Sequence, residues 1–280
     1  EYEMKPKITT EEREKLNKYS DVLAQLLHNR GLTTIEEADN FINVDYDADT
    51  NDPSLLKDVD IATDRILGAM KNNEKICIYS DYDADGIPGA VVLTDFFKKA
   101  EYENFFSYIP HRNKEGFGLN EGAIDKIKDK AAKLIITIDC GITDTVPIQR
   151  AVDYEMDVII TDHHNPNGHE TAAIATVNPH QPGCEYPDKN LCGAGVIFKL
   201  VQALVKKGNE SGQFEIPEGW EKWLLDMVGI ATLSDMVPLI GENRALAKYG
   251  LVVLRKTPRK GLLRLLKKCG IQPRNIVEED

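Results

Sequence analysis

From Lys75 onward, short apolar runs alternate with amphipathic stretches, and this constrains the fold more than any other feature of the chain. KICIYS, FFSYIP, KLIITID, DVIITD and AIATVN are rich in β-branched residues and bounded by polar turns. GAVVLTDFFKKA, GAIDKIKDK and TVPIQRAVDYE lie between them at helical spacing. Strands that are apolar on both faces, separated by amphipathic helices, predict an α/β fold with a mostly parallel sheet flanked by helices. After Cys192 the pattern turns helical, through GAGVIFKLVQALVKK, WEKWLLDMVGIATL, ENRALAKYGLVVLRK and GLLRLLKKC. Residues 8 to 44 also have helical spacing, and their ITTEER start fits a capping box. The predicted layout is an N-terminal helical segment (1–52), an α/β domain (53–255) and the start of a connecting helix (256–280). Polar linkers are expected at Gly208–Glu218 and beyond Gly270.

Composition narrows the class. No run approaches the roughly 18 apolar residues that a membrane span needs. The start EYEMKPKITTEEREKL has no secretory h-region. The five cysteines include no CxxC pair. That usage fits a reducing cytoplasm, without a membrane, better than a disulfide framework. His180, Cys184 and Cys192 are too irregularly spaced to argue for zinc. With 34 basic and 46 acidic residues the net charge is −12. This disfavours a broad surface that coats nucleic acid, since phosphate attraction needs local Lys and Arg. It leaves room for a cleft made cationic by metal ions.

Ligands of open α/β sheets bind beyond the carboxyl ends of the strands. KICIYS runs into Asp81, Asp83 and Asp85, KLIITI into Asp139, and DVIIT into Asp162-His163-His164. Asp235 follows the apolar run IATL. Taken singly, an Asp after a strand reads as the N-cap of the next helix, and a lone His as a core residue. Taken together, segments far apart in sequence would converge on one sheet edge. The three alternating aspartates of SDYDADGIPG repel one another unless divalent ions offset their charge. Carboxylates with imidazoles suit Mn²⁺, Mg²⁺ or Zn²⁺. Gly86 and Gly89 would allow a tight turn into the next helix, with Pro88 in its first turn. A second DYDAD, Asp45–Asp49, follows a helical pattern instead of a strand and reads as a solvated loop.

SDYDADGIPGA, YIPHRNKEGFGL, LIITIDCGI, DVIITDHHNP, VNPHQPGCEYP, LCGAGVIFKL, LSDMVPLIGENRAL and GLLRLL span roughly Asp52 to Leu266. In this order the chain resembles the DHH phosphoesterase superfamily and, within it, the RecJ-like branch of single-strand-specific 5′→3′ DNA exonucleases. The resemblance implies a metal-dependent phosphodiesterase of DNA repair and recombination, with residues 53–255 as its catalytic domain. It implies two divalent ions, Mn²⁺ or Mg²⁺, held by Asp81, Asp83, Asp85, Asp139, His163 and Asp235, with Asp139 bridging them. His164 would contact the phosphate, with Arg112 as a cationic partner and His111 next to it. Asp162 would orient a histidine by hydrogen bonding. The amides of Gly193 and Gly195, at a helix N-terminus, would approach a phosphate.

Such enzymes carry further domains after the catalytic one. The chain is therefore expected to be a catalytic core whose partners are single-stranded DNA and a separate associated domain or replication and repair proteins. Pro88 stands where the family usually has threonine. The alternatives are another DHH phosphodiesterase, acting on short oligonucleotides, cyclic dinucleotides or pyrophosphate, and a non-catalytic replication scaffold. The intact acids argue against the scaffold. A dinucleotide-binding domain is disfavoured because no GxGxxG follows the first strand.

Overall fold

The computed structural model describes residues 3–168 and 170–279, which fall into two compact units divided between Asp49 and Thr50. The first unit contains α1 (Thr10–Lys15), α2 (Asp21–His28), α3 (Ile35–Ile42) and a single turn, α4 (Tyr46–Asp49). Capping boxes start α1 and α3. The Thr9 hydroxyl accepts from Glu12 N while the Glu12 carboxylate accepts from Thr9 N, and Thr34 and Glu37 repeat the arrangement. Leu16, Ala24, Leu27 and Ala38 form its small core. The second DYDAD is helical, in contrast to the expected loop. Asp45 Oδ1 caps the amides of Asp47 and Ala48, and Tyr46 is buried. Asp45 and Asp47 are exposed.

The second unit begins with α5 (Val59–Lys71) and continues through β1 (Ile76–Ser80), α6 (Gly86–Lys99), β2 (Phe105–Tyr108), α7 (Glu121–Asp129) and β3 (Leu134–Ile138). It then runs through α8 (Thr145–Asp153), β4 (Asp157–Thr161), β5 (Ala175–Val177), α9 (Gly193–Glu210), α10 (Leu225–Ser234), α11 (Gly241–Leu254) and α12 (Lys260–Cys269). All strand pairs are parallel, in the order β2-β1-β3-β4-β5. Connections leave β1 in opposite directions, so the topological switch point lies between β1 and β3, where doubly wound sheets open a crevice. β1 and β3 are buried along their whole length, which is why their sequences are apolar without alternation. Tyr79, Ile135, Val158 and Ile160 pack with Ile124, Ile127 and Ile148 of α7 and α8. Helices α6 and α9 also pack on the sheet, and α10 packs on both of them.

Register sets the site. Ser80, Ile138 and Thr161 are aligned on β1, β3 and β4. The next residues, Asp81, Asp139 and Asp162, therefore leave the sheet at one level.

Both predicted linkers are packed segments. Helix α9 runs through Gly208 to Glu210, Phe214 meets Phe96 edge-on, Ile216 is buried, and Gln213 donates to Leu67 O. Beyond Gly270 the chain folds back, with Ile276 in a cluster with Leu254 and Leu266 and its carbonyl held by Arg255. Polar composition suggested linkers because one or two buried side chains per turn leave no periodic pattern.

Candidate metal centre

The turn after β1 spreads its three aspartates. Asp81 stays at the sheet edge, buried, and its Oδ1 has no hydrogen-bond partner among the described residues. Asp83 Oδ1 accepts the amides of Asp85 and Gly86 and so starts α6. Asp85 is buried, and both its oxygens accept from the start of α9: Gly193 N to Oδ2 at 2.6 Å and Ala194 N to Oδ1 at 2.7 Å. Gly86 and Gly89 serve close approach here, not a left-handed turn. A Cβ on Gly86 would lie 2.6 Å from the Asp81 carbonyl oxygen, and one on Gly89 2.6 Å from Ile138 Cγ2.

Asp139 follows β3 with φ 61, a left-handed conformation that costs energy for a non-glycine residue and collects at functional sites. Its Oδ1 lies 3.2 Å from His163 Nε2. The same nitrogen is 3.6 Å from Asp85 Oδ2 and 3.7 Å from Asp235 Oδ2, the latter at the C-cap of α10. Asp162 works from behind. Its Oδ1 pairs with His164 Nδ1 at 2.7 Å and accepts the amides of His163 and His164. Its Oδ2 accepts from Ile142 N. The histidine that Asp162 orients is thus His164.

Three donor groups result: Asp81, Asp83 and Asp139; Asp139, His163 and His164; and Asp85, His163 and Asp235. Within each, the ligand atoms lie within 4.8 Å of one another. The groups overlap at Asp139 and His163; of the β1-turn aspartates, Asp81 and Asp83 serve one group and Asp85 another. Burial raises the carboxyl pKa of Asp139, and Asp85, Asp83 and Asp162 push it further up. Burial raises Asp85 as well, with His163 and the α9 amides offsetting only part. Asp81 and Asp235 are raised mainly by burial. Asp162 differs. Burial works to raise it, but His164 and the amides outweigh burial and hold it below its ordinary value. The Asp162 bond in turn raises His164. Buried carboxylates that repel one another, one with an unpartnered oxygen, are a donor set that fits hard divalent cations.

The other sequence-predicted residues divide. The Arg112 guanidinium lies over the Tyr82 ring at 5.1 Å, and both line a 900 Å³ groove that includes Asp83. His111 is in none of the donor groups. Its Nδ1 accepts the Asn113 amide within its own turn. The placement of Gly193 and Gly195 against a phosphate is corrected. The Gly193 amide is committed to Asp85, and Gly195 N donates to Cys192 Sγ in the helix cap. Glycines in GAG signal close approach to something, and here that something is a carboxylate of the chain itself. Sequence reasoning missed Phe117, whose ring meets His164 edge-on with centroids 5.6 Å apart. A large apolar residue between two glycines was the available signal.

A parallel sheet of this order, with a carboxylate–imidazole cluster at its switch point that could hold divalent cations, defines an α/β protein of the doubly wound kind. The chain belongs to the DHH family: the model of the DHH family N-terminal domain matches residues 75–232. It is 44% identical over 249 residues to the single-stranded-DNA-specific exonuclease RecJ of Bacillus subtilis (strain 168), covering 89% of this chain and 30% of that protein. The crystal structure of exonuclease RecJ bound to manganese superposes with a TM-score of 0.67 at 30% identity, covering 78% of this chain and 53% of that one. RecJ of Thermus thermophilus in complex with Mn²⁺ gives 0.72 at 25% identity, over 94% and 36%. The chain spans less than half the length of the curated RecJ relatives it matches, such as those of Bacillus subtilis and Salmonella typhimurium. Among the described residues, no helix is long and apolar enough to cross a membrane.

Proposed function

We propose that this chain carries the catalytic centre of a nuclease that hydrolyses phosphodiester bonds of single-stranded DNA from the 5′ end, using divalent metal ions and releasing 5′-mononucleotides. The observation that carries this reading is the overlap of three donor groups at Asp139 and His163 on the switch-point edge of the sheet. Two kinds of likeness support it: relatives named for single-stranded-DNA-specific exonuclease activity, and solved relatives that hold Mn²⁺.

Asp81, Asp83 and Asp139 would hold one ion and Asp85, His163 and Asp235 a second, with Asp139 between them. Ions so bound would lower the pKa of an attacking water and neutralise charge on the phosphoryl oxygens. The protein's own residues supply the rest. Because Asp162 occupies Nδ1 of His164, Nε2 is the ring nitrogen left to face a phosphate. Because the same carboxylate favours the imidazolium, that nitrogen can donate to a phosphoryl oxygen as its charge grows. The α9 amides keep Asp85 fixed and favour its ionised form. Arg112, braced on Tyr82, offers a planar cationic fork of N–H donors.

The test is hydrolysis of end-labelled single-stranded DNA in Mn²⁺, Mg²⁺ or EDTA, by the chain, by Asp139→Ala and by Asp47→Ala. Metal-dependent release of 5′-mononucleotides is expected, abolished by Asp139→Ala and untouched by Asp47→Ala, at an exposed position of the second DYDAD. Activity that persists in EDTA, or in Asp139→Ala, would overturn the assignment.

A further inference from the structure

Phe117 is 55% exposed. An exposed apolar residue on its own needs no explanation, but this one is firmly mounted. Gly116 and Gly118 flank it at φ 79 and φ 76, a left-handed pair that throws the ring outward. Just after it, the buried Tyr79 hydroxyl donates to Gly118 O at 2.8 Å, and Leu119 N donates to Asp144 Oδ2 at 2.7 Å. A Cβ on Gly118 would lie 2.7 Å from that same carboxylate oxygen. Just before it, Glu115 accepts from the Tyr108 hydroxyl, His111 N and Lys126 Nζ. Both ends of the loop are fixed, and the ring they present faces solvent beside His164 at an interplanar angle of 77°.

This inference rests on the phosphodiesterase reading above, which puts a phosphate at His164. A nucleotide there carries its base within reach of a ring mounted next to that histidine. A flat apolar face suits any base, since all four present a π-surface. We propose that Phe117 is the stacking platform for the base of a nucleotide adjoining the scissile phosphate. Such a contact grips the strand without reading its sequence. A ring that served only to wall His164 would be better placed buried against it, and this one is left 55% exposed on a loop fixed at both ends.

The experiment compares kcat/KM on single-stranded oligonucleotides that carry all their bases with ones that have an abasic residue at the first or the second position. The wild-type chain is expected to lose roughly tenfold at one of these positions, the size of a single base–aromatic stacking contact. In Phe117→Ala the penalty for the missing base should vanish, while Phe117→Tyr retains it. Calorimetric Mn²⁺ affinity of Phe117→Ala, equal to wild type, checks that the centre is intact. A wild-type chain indifferent to both abasic positions, or a Phe117→Ala that keeps the full penalty, overturns the proposal. So does a Phe117→Ala that slows all substrates alike, which would make the ring a support for His164. Hydrolysis of no substrate by the wild type overturns the nuclease reading, and this one with it.

Discussion

Gly193 leaves no room for a side chain. A Cβ there would lie 2.6 Å from Asp139 Cβ and 2.9 Å from its Cγ and Oδ1. Its neighbour cannot yield cheaply, because Asp139 is held between strand β3 and His163 in a left-handed conformation. Inserting even one methyl into packed surroundings typically costs about 1–3 kcal/mol, and here the displaced side chain is Asp139, shared by two of the donor groups. Gly193→Ala is expected to weaken Mn²⁺ binding by roughly tenfold or more, the equivalent of that strain. Gly195→Ala meets nothing closer than 3.5 Å and should bind Mn²⁺ as the parent does. Titration calorimetry on both variants decides the matter, and equal affinities in Gly193→Ala and wild type would defeat the steric argument. At this scale, the residue types of the site were legible: acids and histidines at strand ends announce themselves by position. Their partners were not. Nothing in CGAGV says that its amides face Asp85, because α9 starts far along the chain from the turn it caps.

Elements were legible where burial on both faces leaves an unbroken apolar run, as in β1 and β3, and at the capping box that starts α1. They were illegible where a few buried side chains anchor irregular backbone, as Phe214, Ile216 and Ile276 do. Helix α9 shows what joins the elements. Its Lys199 is fully buried and forms an ion pair with the equally buried Glu242 in the first turn of α11. The Glu242 carboxylate also accepts from the Tyr186 hydroxyl and from Asn51, and Lys199 donates to Asn51 O. Burial pushes the Lys199 ammonium pKa down, and Glu242 pulls it back only in part. A buried pair adds little net stability, but removing one partner strands the other charge, typically at about 3–5 kcal/mol. Lys199→Met should therefore destabilise the chain by about that amount. The double variant with Glu242→Leu should recover part of the loss. Urea unfolding of the three proteins measures it, and a single-variant loss below about 1 kcal/mol would show that the pair is solvated.

For the whole molecule, the centre should set the pH dependence of stability. Asp81, Asp85, Asp139 and Asp235 all have carboxyl pKa values raised in the fold. Above the ordinary carboxylate range the native state therefore holds protons that the unfolded chain has released. Stability then falls as pH rises, because the unfolded state binds fewer protons. Carboxylates lowered by partners at the surface, such as Glu37, Asp39 and Asp125, act in the opposite sense. Their contribution is lost only as pH falls through values below the ordinary 4.5 and 3.8, so it is already largely complete at about pH 5. Asp162 likewise contributes its stability above the acid range. His164, with its pKa raised, contributes stability that is lost as pH rises through its folded value, adding to the decline. In EDTA, Tm should drop steadily from about pH 5 to about pH 7.5. Mn²⁺ binds the deprotonated carboxylates, so adding it should raise Tm most at the upper end and flatten the profile. The net charge of −12 would also lower stability with rising pH through general repulsion, and Asp139→Asn separates the two causes. Removing one charge among forty-six acids barely alters general repulsion, but it removes the most strongly opposed carboxylate of the cluster. The variant should show a visibly shallower slope in EDTA and little response to Mn²⁺. An EDTA profile that is flat or rising, or a variant slope matching wild type, would mean that the cluster's repulsion does not govern the stability of the metal-free chain.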